Sequence, residues 1–520
     1  MLGEPEILAE GLAPVATVTD LLNDAPTSKF HRRAVLVSGV GFFTDAYDLF
    51  VIGTVAALVT VQWHLSTTQT SWVTGSAILG AFIGAFVFGR IADVLGRKRV
   101  YALVAAIMVV GAIASAFAPG FGWLVVARFV LGLGVGGDYP VSAVLMSEYS
   151  NRLDRGRLVG LVFSMQALGL IVGPLVGLAL LSSGISSNLS WRLLLGLGAI
   201  PAAAVIYLRA KMPESPRFQA RVQGQAARAA KEAAEFSEGV IDASSFADDG
   251  TRHMRLGDFL RNRRMLLLLL GTAGSWFLFD YAYYGNTLSL PVILKGVDST
   301  ATVEAKLAWT LGIFVVFALP GYLMAVWKMD KIGHRKLQFI GFAAMATAFV
   351  VLAAVPKLTT TVVPFLLVFG VSYFFVEFGP NTTTFVLPSE VFPVSMRTTG
   401  HGIAAGIGKL GAFVGVFLVP QLAKHIGLRG MLAVAAGASI AGFLLTTVLP
   451  EPSQRTLEDV SGEDDHLRPA VSATSPSESA SAPSAPTSSG VKAAPHGATA
   501  EPPRTSTTGP ATVGSAPSGG

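Results

Sequence analysis

Residues 89–98 read Gly-Arg-Ile-Ala-Asp-Val-Leu-Gly-Arg-Lys, and this stretch decides the fold because the chain repeats part of it. It follows an apolar run and contains Asp93-Val-Leu-Gly96-Arg97-Lys98. A second apolar run later in the chain is followed by Asp330-Lys-Ile-Gly333-His334-Arg335, the same order of acid, glycine and basic residues. A motif that recurs behind a similar apolar run indicates an internal duplication.

Two further echoes support the duplication. Pro213-Glu214 and Pro450-Glu451 are separated by the same interval as Asp93 and Asp330. Ser147-Glu148, which Arg155 follows, recurs as Ser389-Glu390, which Arg397 follows at the same spacing. We therefore predict two homologous halves, an arrangement that suits alternating access to a site between them.

Composition places both halves in a membrane. Of the 520 residues, 52% are hydrophobic and only 14% are charged, and a helix needs about 20 apolar residues to cross a bilayer. We predict an all-α membrane protein with twelve transmembrane helices in two pseudo-symmetric six-helix bundles. The predicted spans lie near residues 34–62, 71–94, 98–118, 121–147, 156–183 and 190–210, and then 264–296, 304–327, 335–355, 360–389, 396–424 and 427–449.

The predicted organisation has five parts, and each is taken from hydropathy and charge. Residues 1–33 form an N-terminal segment, 34–210 and 264–449 are the two bundles, 211–263 are a polar central loop, and 450–520 are a disordered tail rich in Ser, Pro, Ala, Thr and Gly. Basic residues gather in one set of connections, which predicts that both termini are cytoplasmic. The expected location is the plasma membrane, or the inner membrane of a bacterium, and no cleavable signal peptide is recognisable.

The same observations exclude several classes of function. Cysteine is absent, so disulfide frameworks, thiolate metal sites and cysteine nucleophiles are excluded. The formal charge of +5 lies mostly in connections such as residues 97–99 and 328–336, which indicates topology rather than nucleic-acid binding. The glycine run 132–137 lies inside an apolar span and predicts close helix packing, not a dinucleotide site. We predict no enzyme activity, no cofactor and no metal.

Acidic side chains at depth in the first half are candidates for function, because an acid in a span is costly unless it faces a wet cavity or a partner. Asp45 and Asp48 lie three residues apart on one helix face of the first span, and Asp138 follows the glycine run. Adjacent carboxylates in a medium of low dielectric do not easily both ionise, which suits proton carriage. An acid that merely holds helices together is the alternative for Asp138.

The second half carries a stripe of its own. Trp276, Asp280 and Tyr284 recur at every fourth position of the seventh predicted span and share one helix face. In the tenth span Gly379-Pro380 precedes Asn381 and follows Glu377, and a Gly-Pro pair breaks a helix so that backbone groups face a cavity. The eleventh span holds Lys409, which needs an anion or a carboxylate, and His401, for which packing is at least as good an explanation as proton relay.

These segments resemble known families at two levels. Residues 89–98 resemble the signature loop of the major facilitator superfamily, apart from Val94, where a basic residue is usual. The segments GFFTDAYDLFVIG, GLGVGGDYPVSAVLMSE, WFLFDYAYYG and FGPNTTTFVLPSEVFPVSMRTTGHGIAAGIGK are similar to the phosphate:proton symporter family within that superfamily. The likeness runs from about residue 34 to residue 449.

The resemblance implies roles for named positions. It assigns phosphate contacts to Tyr139, Gln166, Trp276, Asp280, Tyr284 and Asn381, a charge-balancing role to Lys409, and a proton path to Asp45, Asp48 and Asp138. In the repeated loops, Asp93, Gly96, Arg97 and Asp330 form the predicted gate, in which charge pairing holds one conformation.

The expected function is import of inorganic phosphate by proton symport through alternating access. The expected partners are phosphate, protons and the lipid bilayer, with no nucleic acid. Two alternatives stay open on the sequence: a carrier of the same fold for a sugar, an organic cation or an organic acid, and a phosphate sensor without net flux.

Overall fold

The computed structural model describes residues 16–238, 241, 247–251 and 253–463, and helices make up most of this part of the chain. Eleven of these helices are long and apolar enough to cross a membrane. The longest, Arg397–Thr446, contains two spans, because Gly427 interrupts its helical geometry with a φ of 71°. The twelve spans of the predicted fold class are thereby confirmed.

The spans and the short helices have the following bounds. The spans are α1 (Lys29–Gln62), α2 (Thr67–Leu95), α3 (Arg97–Ala116), α4 (Phe121–Tyr149), α5 (Arg155–Ser182), α6 (Ser187–Lys211), α7 (Arg263–Leu288), α8 (Val303–Ile332), α9 (His334–Ala354), α10 (Val362–Val391), α11 (residues 397–426) and α12 (residues 428–446). The short helices are Val18–Asp24, Pro216–Arg221, Ala226–Phe236, Leu256–Arg261, Leu290–Val297 and Leu457–Ser461.

The glycine run in α4 allows the close packing that the sequence predicts. A Cβ atom added to Gly132 would collide with the main-chain carbonyl of Ala77 on α2, and one added to Gly136 would collide with that of Ala81. Small residues at this spacing bring two backbones into contact, and dispersion forces then stabilise the pair in a lipid environment. The run is therefore a packing surface of the first bundle.

The repeated loops form matching turns at one end of the molecule. Gly96, between α2 and α3, has a φ of 98°, and Gly333, between α8 and α9, has a φ of 102°. Such angles are strained for any residue with a side chain, which explains why glycine stands at both positions. We call this end, which also holds residues 97–99 and 328–336, the basic end.

The Pro-Glu echo has a structural purpose in these turns. The Glu214 carboxylate accepts hydrogen bonds from the main-chain nitrogens of Arg97 and Lys98, both at 3.2 Å. The Glu451 carboxylate accepts from those of His334 at 2.8 Å and Arg335 at 3.1 Å. Each glutamate thus satisfies open donors at the start of a helix and complements its dipole.

Acids of the signature loops cross between the halves at the basic end. Asp93 accepts hydrogen bonds from the main-chain nitrogens of Thr398 at 3.3 Å and Thr399 at 2.6 Å, at the start of α11. Asp330 accepts one from the main-chain nitrogen of Arg157 at 2.7 Å, at the start of α5. The two halves therefore hold each other by reciprocal contacts between an acid and a helix N-terminus.

Buried charges reinforce this layer. Arg97 pairs with Asp93 at 3.1 Å and with Glu148 at 3.3 Å, and Glu148 pairs in turn with Arg397 of the other half at 3.1 Å. These side chains have no exposed surface. Burial of charges is tolerable only with partners of this kind, so the layer closes the basic end.

The predicted tail boundary at residue 450 is wrong for its first residues. The helix Leu457–Ser461 packs under the basic end, Leu457 is fully buried, and Glu458 pairs with Arg217 at 2.7 Å. The prediction rested on the average composition of the tail, which does not reveal a short stretch such as this one. Leu457 and Glu458 supply the apolar contact and the charge that hold it in place. The remainder of the predicted tail, from residue 464, lies outside the described residues.

The Glu458 anchor is charged at neutral pH. Burial alone would raise the pKa of Glu458, but Arg217, with Arg221 and Arg397, outweighs burial and lowers it to about 2. A carboxyl whose pKa is depressed on folding stabilises the folded chain above its ordinary value of 4.5, and this contribution is lost as the pH falls toward 2.

Replacement of Gly96 or Gly333 by alanine is expected to destabilise the folded chain. At each position the positive φ strains a side chain, and the added Cβ would lie 2.5 Å from an oxygen of the capping glutamate. Strain of this kind costs on the order of 1–3 kcal/mol. G96A and G333A should therefore melt several degrees below the parent protein in thermal scanning fluorimetry of the detergent-solubilised chain.

Gly437→Ala is the matched control for both variants. Gly437 lies in α12 with helical geometry, and the structure places no atom within 4 Å of its added Cβ outside its own neighbourhood in the helix. Its melting temperature should equal that of the parent or exceed it slightly. Equal melting temperatures for G96A, G333A and G437A would show that the turn geometry is not required.

Candidate functional site

A buried ion pair joins α7 and α11 of the second bundle. The Nζ atom of Lys409 on α11 is 3.0 Å from a carboxylate oxygen of Asp280 on α7, and the two side chains are 2% and 1% exposed. A lysine at this depth would be costly without a counter-charge. The pair confirms the predicted need of Lys409 for a partner and supplies that partner from the predicted stripe.

Hydrogen bonds connect the ion pair to residues of the first bundle. Lys409 donates to the Tyr284 hydroxyl at 3.0 Å, and that hydroxyl lies 3.5 Å from the hydroxyl of Tyr139 on α4. The side-chain nitrogen of Gln166 on α5 donates to Tyr139 at 3.3 Å. The Lys409 ammonium also faces the rings of Tyr139 and Tyr284, 4.5 and 4.3 Å from their centroids.

The network then returns to the second bundle through a tyrosine that the sequence did not single out. Tyr322 on α8 donates to the Gln166 side-chain oxygen at 2.7 Å, and the Asn381 amide donates to Tyr322 at 2.7 Å. Asn381 also donates to Glu377 at 2.5 Å, and the second oxygen of Glu377 has no hydrogen-bond partner among the described residues. We call the set Asp280, Lys409, Tyr284, Tyr139, Gln166, Tyr322, Asn381 and Glu377 the central network.

Breaks in two helices position the amides of the central network. Gln166 follows Met165, where the helical hydrogen bonding of α5 is interrupted. Asn381 ends a π-helical turn, Glu377–Asn381, that contains Pro380. Pro380 has no main-chain N–H, so the hydrogen bonding widens to a π-helical turn there. The irregularity lies at Gly379-Pro380 as predicted, but the helix continues through it, and the exposure of backbone groups to a cavity stays a prediction.

Aromatic rings form the walls around the network. Trp276 lies with its ring centroid 6.2 Å from Tyr139 and 5.6 Å from the ring of His401. Phe42, Phe163 and Phe385 pack against one another beside Tyr139. One ring nitrogen of His401 lies 3.0 Å from the main-chain oxygen of Phe385, which favours the packing explanation of His401 over a relay.

Asp138 is held by an arginine that the sequence analysis did not consider. Arg209 on α6 donates to both carboxylate oxygens of Asp138, at 2.6 and 2.9 Å, and Ser142 donates to one of them at 3.1 Å. Both charged side chains are fully buried. A bidentate arginine fixes the carboxylate firmly, so Asp138 lies in an ion pair rather than facing a wet cavity.

Asp45 and Asp48 are buried on α1 but have different surroundings. The carboxylate oxygens of both residues have no hydrogen-bond partner in the described part of the chain. The charged groups around Asp45 are Asp138, Arg209, Asp48 and Lys409, whereas Asp48 has Arg128 as its charged neighbour. The two acids are neighbours, as their spacing predicts, but each has a different cation nearby.

The seven positions predicted to contact the substrate come together, and all are occluded. None of Tyr139, Gln166, Trp276, Asp280, Tyr284, Asn381 and Lys409 is more than 4% exposed. The site offers one ammonium, several hydroxyl and amide donors, and carboxylates that accept hydrogen bonds. Within the described residues there is no cluster of three or more histidine and acidic side chains that could hold a metal ion.

Known proteins match the chain over most of its length. The family described as "Sugar (and other) transporter" matches residues 34–463. A putative inorganic phosphate transporter 1-13 from Oryza sativa subsp. japonica is 37% identical over 86% of this chain and 94% of its own. A probable inorganic phosphate transporter 1-6 from Arabidopsis thaliana is 37% identical over 86% of this chain and 96% of its own.

Solved structures share the fold. The proton:xylose symporter XylE, bound to 6-bromo-6-deoxy-D-glucose, has a TM-score of 0.71 at 20% identity and covers 84% of this chain and 100% of its own. The human organic anion transporter MFSD10 has a TM-score of 0.59 at 15% identity, with coverages of 80% and 99%. On the extent of the family match and the identity to its relatives, the chain belongs to the inorganic phosphate transporter family of the major facilitator superfamily, as its sequence predicts.

Proposed function

We propose that the chain is a secondary active transporter that imports inorganic phosphate together with protons by alternating access. The observation that carries this proposal is the buried Asp280–Lys409 pair, which Tyr284 and Tyr139 connect to donors of the other half. A carrier whose halves rock about a central substrate needs a site built from both. The relatives named as inorganic phosphate transporters support the same substrate.

Selection of phosphate follows from the mixture of acid and cation in the network. Phosphate with one or two hydrogens donates to the Asp280 carboxylate, while its remaining oxygens accept from Lys409, the tyrosines and the amides. Sulfate has no hydrogen to donate at neutral pH, so it would leave the carboxylate facing a negative oxygen. An unpaired group in a buried site costs about 1–3 kcal/mol, which is enough for discrimination.

Asp45 is our candidate for the group that exchanges the transported proton. It is fully buried, its carboxylate lacks a hydrogen-bond partner among the described residues, and Lys409 is among the charged groups near it. A change of charge at the anion site is therefore felt at Asp45. In this proposal Asp138 supplies a fixed counter-charge for Arg209. The charge of Asp48 is balanced by its neighbour Arg128.

The repeated loops act as the gate in this scheme. The contacts of Asp93 and Asp330 with the opposite half, with the turn at Gly96 and the charges of Arg97, keep the basic end shut. We infer that the basic end faces the cytoplasm, that both termini are cytoplasmic, and that the chain lies in the plasma membrane or a bacterial inner membrane. The excess of basic residues at this end supports the orientation.

The two alternatives differ from phosphate import in measurable ways. A sugar needs hydrogen-bonding partners for its hydroxyl groups but no buried ammonium group. Lys409 therefore favours an anionic substrate over a neutral one. A sensor would bind phosphate without moving it and would signal through its tail. Deletion of residues 464–520 separates these: unchanged uptake indicates a carrier, and lost signalling with no measurable flux indicates a receptor.

Asp280→Asn should abolish phosphate uptake driven by an acid-outside gradient. The amide carries no charge to balance Lys409, and it presents an NH2 donor where the carboxylate has a second acceptor oxygen, so both the ion pair and the proposed recognition are lost. The measurement is uptake of labelled phosphate into proteoliposomes containing the purified variant. Asp258→Asn, the same change at an exposed acid in the helix Leu256–Arg261, is the control and should transport normally. Gradient-driven uptake that persists in D280N would reject the site.

Competition between labelled phosphate and a series of other anions should separate phosphate-like substrates from other tetrahedral oxyanions. Arsenate shares the shape and protonation of phosphate and should compete with its uptake at similar concentrations. Sulfate should be weaker by at least about tenfold, the ratio given by roughly 1.4 kcal/mol of lost pairing. Equal competition by sulfate would remove Asp280 as the basis of selectivity, and tight binding of a sugar without phosphate binding would favour the second class of carrier.

Asp45→Asn should uncouple phosphate movement from protons. In proteoliposomes, exchange of labelled phosphate across the membrane at equal pH should continue, whereas an acid-outside gradient should no longer accelerate net uptake. Asp48→Asn is the comparison at the neighbouring acid and should keep its response to the gradient. The opposite result, in which D48N loses the response and D45N keeps it, would move the proton path to Asp48.

A further inference from the structure

A cavity with polar groups on largely apolar walls lies at the end of the bundle opposite to the basic end. It has a volume of about 470 Å³ and is lined by segments of both halves, from α1 and α2 on one side and from α7, α8 and α11 on the other. Leu290–Val297, the short helix after α7, closes part of its rim. It lies on the line between the two halves, as the central network does.

The cavity has the chemistry of an anion site. Lys295 and Lys306 both line it, and no aspartate or glutamate is present among its lining residues. Hydroxyl groups make up most of the remaining polar wall: Thr54, Thr60, Thr67, Thr70, Ser71, Thr74, Ser289 and Thr310. Ammonium and hydroxyl donors together recognise the oxygens of an oxyanion.

Part of the hydroxyl wall is free to donate. Thr74 and Thr310 already donate to main-chain carbonyls, and Thr60 and Thr70 bond to each other at 2.8 Å. The structure records no side-chain hydrogen bond for the other lining hydroxyls, which belong to Thr54, Thr67, Ser71 and Ser289 in the described part of the chain. These hydroxyls can face a ligand without breaking an existing bond.

One aromatic layer separates this cavity from the central network. A small gap of about 30 Å³, which shares Gly53, Thr54 and Leu288 with the cavity, reaches inward to Phe50. The ring of Phe50 stacks on that of Tyr284, with 5.3 Å between the centroids, and Tyr284 accepts the hydrogen bond from Lys409. The ring of Phe50 therefore lies between this gap and Tyr284, which is itself part of the central network.

We propose that the cavity lined by Lys295 and Lys306 is an outer, weaker binding site for inorganic phosphate, which the anion occupies before the Phe50–Tyr284 layer opens. This inference rests on the proposed function, because it concerns the path of the same substrate. Two cations in a recess with apolar walls raise the local concentration of an anion and its rate of association. The central network then selects among the anions that the outer site collects.

The double variant Lys295→Gln/Lys306→Gln tests the site in transport. At low ionic strength its kcat/KM for phosphate should fall on the order of tenfold, through KM, with the maximal rate unchanged. At high ionic strength the difference should shrink, because salt screens exposed charges. The readout is initial uptake into proteoliposomes of zwitterionic lipid, measured over a range of phosphate concentrations.

Lys357→Gln/Lys424→Gln is the matched control. Both lysines are exposed at the same end of the bundle, and neither lines the cavity. The control variant loses the same charge and should keep the KM and the salt dependence of the parent protein. Equal values of KM and equal salt dependence in the two double variants would overturn the outer site, because general surface charge would then explain any effect.

A binding experiment separates the outer site from the proposed function. In full-length Lys409→Gln, whose central site is disabled, inorganic phosphate should still show line broadening in phosphorus NMR, and adding K295Q and K306Q should remove it. No residual broadening in K409Q, or broadening that survives K295Q/K306Q, would overturn the outer site. So would loss of broadening on addition of anionic lipid alone, since the site would then belong to a lipid headgroup. Absence of phosphate uptake by the parent protein would contradict the proposed function. The NMR result would still show whether phosphate binds at the outer site.

Discussion

A positive charge held in an apolar interior is the constraint on which the site depends. Lys409 is tolerable there only because α11 packs against α7 closely enough to bring it within 3.0 Å of Asp280. Glycines make that approach possible, since a Cβ on Gly411 or Gly415 would collide with main-chain carbonyls of α7. Removal of either charge would leave the other buried and unpaired, at a cost of about 3–5 kcal/mol. The ion pair and the close packing of α7 against α11 therefore depend on each other.

The basic end applies the same physics to the relation between the halves. Asp93 and Asp330 each complete the first turn of a helix in the opposite half, and Glu148 lies between Arg97 and Arg397. Separating the halves there would remove the partners of several buried charges at once. Each charge would be destabilised until water replaced its lost partner. In the proposed transport cycle this layer would alternate between a closed, dry arrangement and an open, hydrated one. The duplication of the sequence therefore gives symmetric contacts between the halves, because each half contributes one acid and one helix N-terminus to the contacts with the other.

Patterns with a strong local rule predicted much of this molecule from its sequence. The recurrent loop gave the two halves, and the helical spacing from Trp276 to Tyr284 gave one wall of the site. What escaped prediction had no local signature: Tyr322 is one uncharged residue in an apolar span, and its role arises only from its contacts with Gln166 and Asn381. Arg209 resembled a boundary charge at the end of its span, although it reaches the buried Asp138. Arg128, in the first third of α4, did carry a signal, since the argument that made buried acids candidates applies equally to a buried arginine.

The charge balance of the site supports the proposed proton coupling independently of resemblance. The central network has one cation, Lys409, and two carboxylates, Asp280 and Glu377, while Asp45 lies close by. With every carboxylate ionised, the surroundings of the pocket would be negative and would repel an incoming oxyanion. Glu377 accepts a hydrogen bond from Asn381 but has no cation beside it among the described residues, and an ionised carboxylate without a counter-charge would be costly at this depth. We infer that binding of the anion requires a proton on a nearby acid, and that the proton is released when the anion leaves. On this argument, the coupling of the two movements is a consequence of placing acids around one lysine in a medium of low dielectric.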